Sequence, residues 1–195
     1  MRPARAVGRW GAGAAVAAGL GATACVLTVR GALTVDLGIG RSLRSLGPSQ
    51  TIINAPREVV FDVISGPYLE RTPRAMEAKL HVLERGSDLV LAAHFTPIPG
   101  GLVATTVETV HFDRPRSISF RLVRGPVPYV TETFALREHD AGTEFIYSGE
   151  MGTDLWGLGR WWAGVVAPTW ERTVEQSVAS IKAEAERRAG TLRQQ

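Results

Sequence analysis

The sequence has 195 residues, of which 45% are hydrophobic and 21% charged, as is ordinary for one globular domain with an appendage. Its net charge of +3 is unevenly placed: residues 1–48 hold six arginines and one acid (+5), and the remainder holds sixteen basic and eighteen acidic residues (−2). The folded part therefore lacks the basic stripe typical of nucleic-acid-binding domains, and we expect no nucleic-acid partner.

The chain begins with the pattern of a membrane anchor. Residues 1–9 form a basic tail, residues 10–29 contain no charge, and Arg30 ends the uncharged run. Twenty helical residues span about 30 Å, the thickness of a bilayer core. We interpret residues 10–29 as a single transmembrane helix or signal anchor and residues 30–48 as a juxtamembrane linker.

Two other interpretations of this leader stay open. Ala22-Thr23-Ala24 has the small-x-small pattern of a signal-peptide cleavage site, although apolar residues continue beyond it. Cys25 is a candidate for lipidation, and as the single cysteine of the chain it excludes an intrachain disulfide and a cysteine-based metal site. The numbers of arginines before and after the uncharged run 10–29 are nearly equal. The positive-inside rule therefore gives only a slight preference for a cytoplasmic N-terminus.

The folded body begins with a β-prone run at residues 49–54. Pro56 then opens a predicted helix whose valines and isoleucine, at positions 59, 60, 63 and 64, recur at helical spacing. Gly66-Pro67 is expected to end this helix, and residues 68–73 are expected to form a turn or a further short helix.

Six β-prone runs follow, separated by short turns rich in glycine and proline. The predicted strands are 75–84, 88–96, 102–112, 117–123, 128–138 and 143–151. Short turns between such runs indicate an antiparallel meander. With the first run, the meander makes a sheet of seven strands.

The last element predicted is a long helix over residues 154–189. Its apolar side chains recur every three or four residues, at Leu158, Trp162, Val166, Trp170, Val174, Val178, Ile181 and Ala185. This spacing predicts a helix with one face on a broad apolar surface, and a curved sheet supplies such a surface. Pro168 predicts a kink or a break. Residues 191–195 are left as a tail.

This order of elements resembles that of the START-like, or SRPBCC, superfamily, which includes polyketide cyclases/dehydrases and lipid-transfer domains. The resemblance rests on Ile53-Asn54-Ala55-Pro56 leading into a helix, on Gly142-Thr143 opening the last strand, and on the terminal helix. It implies an α+β helix-grip domain over residues 49–190. It further implies a pocket for a hydrophobic small molecule or lipid, between the sheet and the C-terminal helix.

Polar and aromatic residues within the strands and the terminal helix are the candidates for lining such a pocket. The candidate ligand-binding residues are His94, Glu108, Arg121, Tyr129, Glu132, Tyr147 and Trp162. Arg121 and Glu132 lie on neighbouring strands, so they form either an ion pair in the pocket or a solvent-facing cross-strand pair. Tyr68 borders a proline turn and is expected at the pocket rim or in the core.

No catalytic constellation or metal site is recognisable in the sequence, and no cofactor is expected. Three hypotheses therefore compete. The leading one is a membrane-anchored domain that binds a hydrophobic small molecule without covalent chemistry. The others are a cyclase/dehydrase-type enzyme that transfers protons through polar pocket residues, and a structural or interaction domain with a filled interior.

Overall fold

The computed structural model describes residues 19, 21–70 and 72–192. The predicted basic tail, and residues 10–18 and 20 of the predicted membrane segment, lie outside this part. Residues 21–29 are helical. Within the described residues, no helix combines the length and the apolar character needed to cross a membrane.

The strands and helices of the folded body follow the predicted order. They are β1 (Ser42–Ile53), α1 (Arg57–Leu69), α2 (Arg74–Glu77), β2 (Leu80–Arg85), β3 (Leu89–Ile98), β4 (Leu102–Asp113), β5 (Ser117–Arg124), β6 (Tyr129–His139), β7 (Gly142–Thr153) and α3 (Trp156–Leu192). The seven strands form one antiparallel sheet in the order β1-β7-β6-β5-β4-β3-β2. The predicted seven-stranded meander and the long C-terminal helix are confirmed.

Three predicted boundaries differ from the structure. β1 begins at Ser42, inside the predicted linker 30–48. A register shift between Leu46 and Ser49 accommodates the Gly-Pro pair, which in the sequence is a signal against a strand at this point. The predicted strand 75–84 begins instead with α2, which follows Pro73. α1 runs past Pro67, because a proline in the last turn removes only one helical hydrogen bond.

The C-terminal helix α3 is continuous through Pro168, so the predicted alternative of a break at this residue is wrong. The helix also extends into the predicted tail, to Leu192. It contacts α1, β1 and β7. Most of the predicted stripe is buried or half-buried against the core, but Leu158 is exposed. Trp156 and Trp161, near the start of the helix, are likewise exposed, because smaller residues take the inner face of the first turns.

The strands alternate between a buried and an open face, as β6 illustrates. Val130, Glu132, Phe134 and Leu136 are buried, and the residues between them are half-buried. Side chains two apart on a strand lie on the same face. Glu132 is therefore carried into the interior by the same alternation that buries its apolar neighbours.

Residues 31–41, which we call the strap, connect the N-terminal helical segment to β1 and are fixed to the body at both ends. At one end the Thr34 hydroxyl donates to the Gly125 carbonyl at 2.8 Å. At the other end the buried carboxylate of Asp154 accepts the amides of Leu37 and Gly38 at 2.6 and 2.7 Å, and the Arg41 Nε at 2.7 Å. The strap is thus bonded to the residues that lead into α3.

Candidate functional site

Polar side chains from four strands and two helices meet in the apolar interior between the sheet and the helices. The strands supply His94, Glu108, Glu132 and Tyr147, α1 supplies Tyr68, and α3 supplies Trp170. Both glutamates are only 7% exposed. Buried carboxylates are costly unless they are hydrogen-bonded or paired with charge, so the partners of each one define the chemistry of this interior.

Glu132 accepts two hydrogen bonds from neighbouring aromatic residues. The Tyr147 hydroxyl donates to Oε1 at 2.6 Å, and the Trp170 indole Nε1 donates to the same oxygen at 2.8 Å. Gly149, directly opposite Glu132 on β7, provides room, since a Cβ there would lie 3.0 Å from Glu132 Cγ. Burial raises the pKa of Glu132 from 4.5 to about 7, although both hydrogen bonds act in the opposite direction.

His94 lies between a carboxylate and a phenol. Its Nδ1 is 3.2 Å from Glu108 Oε2, close enough for an ion pair but not aligned as a hydrogen bond. Its Nε2 is 3.0 Å from the Tyr68 hydroxyl. Burial, the largest single effect, would lower the pKa of His94, but the Glu108 carboxylate, together with the charge of Glu132, raises it overall. Burial likewise favours protonated Glu108, yet His94 lowers its pKa, so the pair is most stable as imidazolium and carboxylate.

An aromatic wall connects the two polar groups of residues. The ring of Tyr68 is 6.3 Å from that of Phe120, Phe120 is 5.0 Å from Phe134, and Phe134 is 5.9 Å from Tyr147, measured between ring centroids. The site therefore consists of an apolar aromatic surface with ionisable groups at both ends. Such an arrangement suits a mainly apolar molecule with a few polar atoms.

The remaining predicted site residues lie away from this cluster. Arg121 is exposed and pairs with Thr131 in the sheet register, whereas Glu132 pairs with Phe120 and faces inward. The predicted Arg121–Glu132 pair is therefore wrong in both forms, because the two side chains lie on opposite faces of the sheet. Tyr129 lies on the open face of β6.

Trp162 is half-buried on α3 and donates its indole N–H to the Pro126 carbonyl at 2.7 Å. It lies two turns from Trp170, which is not among the predicted site residues. A signal for Trp170 existed, since it shares the inner stripe of the helix with Trp162. Tyr68 was expected at the rim or in the core, and the structure places it in the core at 9% exposure, beside His94.

Two surface pockets lie on other parts of the described protein. One, of about 260 Å³, is lined by Ser42, Leu43, Arg44, Thr153, Arg160 and Ala163. The other, of about 600 Å³, is lined by Arg30, Ala78, Phe95, Gly101, Val103 and Thr105. Neither involves the buried glutamates. Among the described residues, no group of three or more His, Cys, Asp or Glu side chains is placed to hold a metal ion.

The sequence of residues 49–186 matches the family model described as "Polyketide cyclase / dehydrase and lipid transport". The chain belongs to this family. The match covers the sheet from the second part of β1 onward and most of α3. Every residue of the buried polar cluster lies within the matched range.

Solved structures share the fold of this family member at low sequence identity. The Zhui aromatase/cyclase from Streptomyces sp. R1128 superimposes with a TM-score of 0.60 and 18% identity over 75% of this chain and 96% of that chain. The di-domain aromatase/cyclase BexL from the BE-7585A biosynthetic pathway gives 0.55 and 16%, over 77% of this chain and half of that one. Norcoclaurine synthase from Thalictrum flavum gives 0.52 and 13%, over 69% and 88%. No curated protein matches the sequence.

Proposed function

We propose that this family member binds a mainly apolar small molecule, lipid- or polyketide-like, against the aromatic wall, and that residues 10–29 anchor it to a membrane. The observation that carries the ligand proposal is the pair of buried glutamates in an otherwise apolar interior. A core that served only stability would gain from apolar residues at these positions, because burying a carboxylate is unfavourable. The anchor is supported by the uncharged run of twenty residues.

The polar atoms define what the ligand should carry. Tyr147 and Trp170 both donate to Oε1 of Glu132, and Oε2 receives no hydrogen bond from the described residues. A ligand hydroxyl or amine that donates to Oε2 would complete the set. The ligand proposed is thus apolar over most of its surface, with at least one hydrogen-bond donor near Glu132.

The test is the identification of molecules that co-purify with the full-length protein. Native mass spectrometry and organic extraction of the detergent-solubilised chain would be compared with Glu132→Gln and with Arg121→Ala. We expect a bound apolar molecule in the parent chain, reduced occupancy in the Glu132 variant, and no change in the Arg121 variant, whose side chain points outward. An empty parent chain that also fails to take up added fatty acids or aromatic polyketides would contradict the proposal.

A second candidate function, proton transfer of the cyclase/dehydrase type, is favoured by the Tyr68–His94–Glu108 arrangement. Because the pair favours imidazolium and carboxylate, the base is the less populated form in which His94 has lost its proton. That imidazole would remove a proton from the carbon beside a ligand carbonyl, leaving an enolate and restoring the imidazolium that Glu108 stabilises. In a β-hydroxy carbonyl compound, expulsion of the hydroxyl with that proton would give a carbon–carbon double bond and water.

This enzyme hypothesis has a separate test. A cyclic 1,3-diketone is incubated with the protein in D2O, and deuterium at the carbon between its carbonyls is followed by mass spectrometry. We expect exchange faster than in buffer, and loss of the acceleration in His94→Gln but not in the outward-facing Arg121→Ala. Equal rates in the His94 variant and the parent would exclude His94 as the base.

A further inference from the structure

The first three turns of α3 carry their large apolar side chains on the outside. The residues that face the protein body are small and buried, namely Gly159, Ala163 and Ala167. On the opposite side, Leu158 and Trp161 are 61% and 62% exposed, and Val165 is 49% exposed. A surface helix normally directs its large apolar residues to the core. This inverted pattern indicates that something other than the sheet contacts the outer face.

The exposed face of α3 continues onto the strap and β1. We define the tryptophan patch as Leu37, Ile39, Leu43, Trp156, Leu158 and Trp161, all between 51% and 62% exposed. Its two parts are joined directly, because the Leu155 and Trp156 amides donate to the Ile39 and Gly40 carbonyls at 2.8 and 3.0 Å. The ring of Trp156 lies over Gly40, where a Cβ would overlap with it.

Exposure of this kind is concentrated in the patch. In the described part of the chain, seven large hydrophobic residues are more than 55% exposed, and five of them belong to the patch; the other two are Val123 and Leu192. Contiguous apolar surface on a protein marks a contact with another molecule or with a membrane.

The charges around the patch favour a membrane that contains anionic lipids. Between Leu155 and Trp170 the only charged residue of the sequence is Arg160, which lines the groove beside Leu43. Arg44, at the same groove, forms an ion pair with Glu171 at 3.7 Å, so the positive charge offered to lipid head groups comes from Arg160. Tryptophan and arginine together are typical of protein surfaces at the level of lipid head groups.

The position of the patch along the chain identifies the membrane it would meet. Leu37 follows Val29, the last residue of the uncharged run, by eight residues, which span less than about 30 Å even when fully extended. Asp154 bonds the strap to the start of α3. A bilayer that held residues 10–29 would therefore keep the patch within reach and at high effective concentration.

We propose that the tryptophan patch docks on the surface of the bilayer that holds the leader, with Trp156 and Trp161 at the level of the lipid head groups. The proposal rests on the membrane anchoring proposed above but not on the ligand. Docking orients the domain, so that the first turns of α3 lie flat on the membrane rather than turning freely about the strap.

The experiment measures tryptophan quenching by brominated lipids in vesicles of phosphatidylcholine and phosphatidylglycerol that carry the full chain. Trp10→Phe is the background, because it removes the tryptophan of the leader. In this background, Trp156→Phe and Trp161→Phe are introduced together, and Trp162→Phe is the matched control, since that side chain is half-buried and bonded to Pro126. Flotation of the vesicles reports attachment independently of quenching.

We expect the background protein to be quenched and the quenched fraction to fall about fivefold in the double variant, but not in the control, because only interfacial tryptophans contact the lipid. Flotation without quenching, or quenching unchanged by the double variant, overturns the docking and leaves the anchor intact. Absence of flotation overturns both. Concentration-dependent self-association that Trp161→Glu abolishes, without lipid quenching, assigns the patch to a second copy of the chain and also overturns docking.

Discussion

Replacing Glu132 by glutamine should remove a pH dependence of stability that this one side chain introduces. Its pKa is raised from 4.5 to about 7 in the folded protein, with burial as the main cause. A raised pKa means that the folded state favours the protonated carboxyl. The stabilisation is fully present below pH 4.5 and is lost as the pH rises through 7.

The size of the effect follows from the two pKa values. They differ by 7 − 4.5 = 2.5, and each pKa unit corresponds to about 1.4 kcal/mol, so the free energy of unfolding should fall by about 3 kcal/mol between pH 4 and pH 8. Glutamine occupies the same volume and its carbonyl oxygen can accept the bonds from Tyr147 and Trp170, but it does not titrate.

The assay is urea unfolding of the full chain in mild detergent, followed by circular dichroism from pH 4 to pH 8. The quantity of interest is the unfolding free energy of the parent minus that of Glu132→Gln, in which the titration of His94 and Glu108 largely cancels. We expect this difference to decrease by about 3 kcal/mol as the pH rises. A difference that is flat, or that increases, would refute the inference that Glu132 is buried with a raised pKa.

Three further predictions concern the cluster, the strap and the turn between β6 and β7. Tyr147→Phe removes a hydrogen bond that lowers the Glu132 pKa, so the midpoint of the same pH profile should move upward; a downward shift would contradict this role. Asp154→Asn should cost about 2 kcal/mol and speed amide exchange at Leu37 and Gly38, whereas unchanged exchange would mean that other contacts hold the strap. Arg41 is the main cause that lowers the pKa of Asp154 from 3.8 to about 2. The stability that the Asp154 carboxylate contributes should therefore be fully present above pH 3.8 and lost as the pH falls through 2. Gly142→Ala should cost about 1–3 kcal/mol in urea unfolding, because φ is +134° and a Cβ would overlap with the Ile53 carbonyl; equal stability would show that the turn can relax.

The sheet and the terminal helix were predictable because their signals are local. The alternation of Val130, Phe134 and Leu136 with polar residues depends only on neighbours along the chain, and so does the spacing from Trp162 to Trp170. The same locality explains the errors at boundaries: Pro67 is a strong helix-ending signal in isolation, yet in the last turn it removes only one helical hydrogen bond, and the helix runs to Leu69.

The pairing of Arg121 with Glu132 failed for a different reason. Opposite charges on neighbouring strands can meet only if the register places them on one face, and a change of one residue reverses the outcome. Residue spacing left this register undecided. In the structure Phe120, rather than Arg121, lies beside Glu132.

The amino-acid order was sufficient for the architecture, because apolar periodicity and turn chemistry act over a few residues and favour one arrangement of strands and helices. It was not sufficient for the site or the tryptophan patch. Glu132 meets Trp170 across 38 residues, and His94 meets Tyr68 across 26, so only the packing of helix on sheet brings these partners together. Which side of α3 faces outward was decided in the same way, because the small residues allow the closer approach of the helix to the sheet.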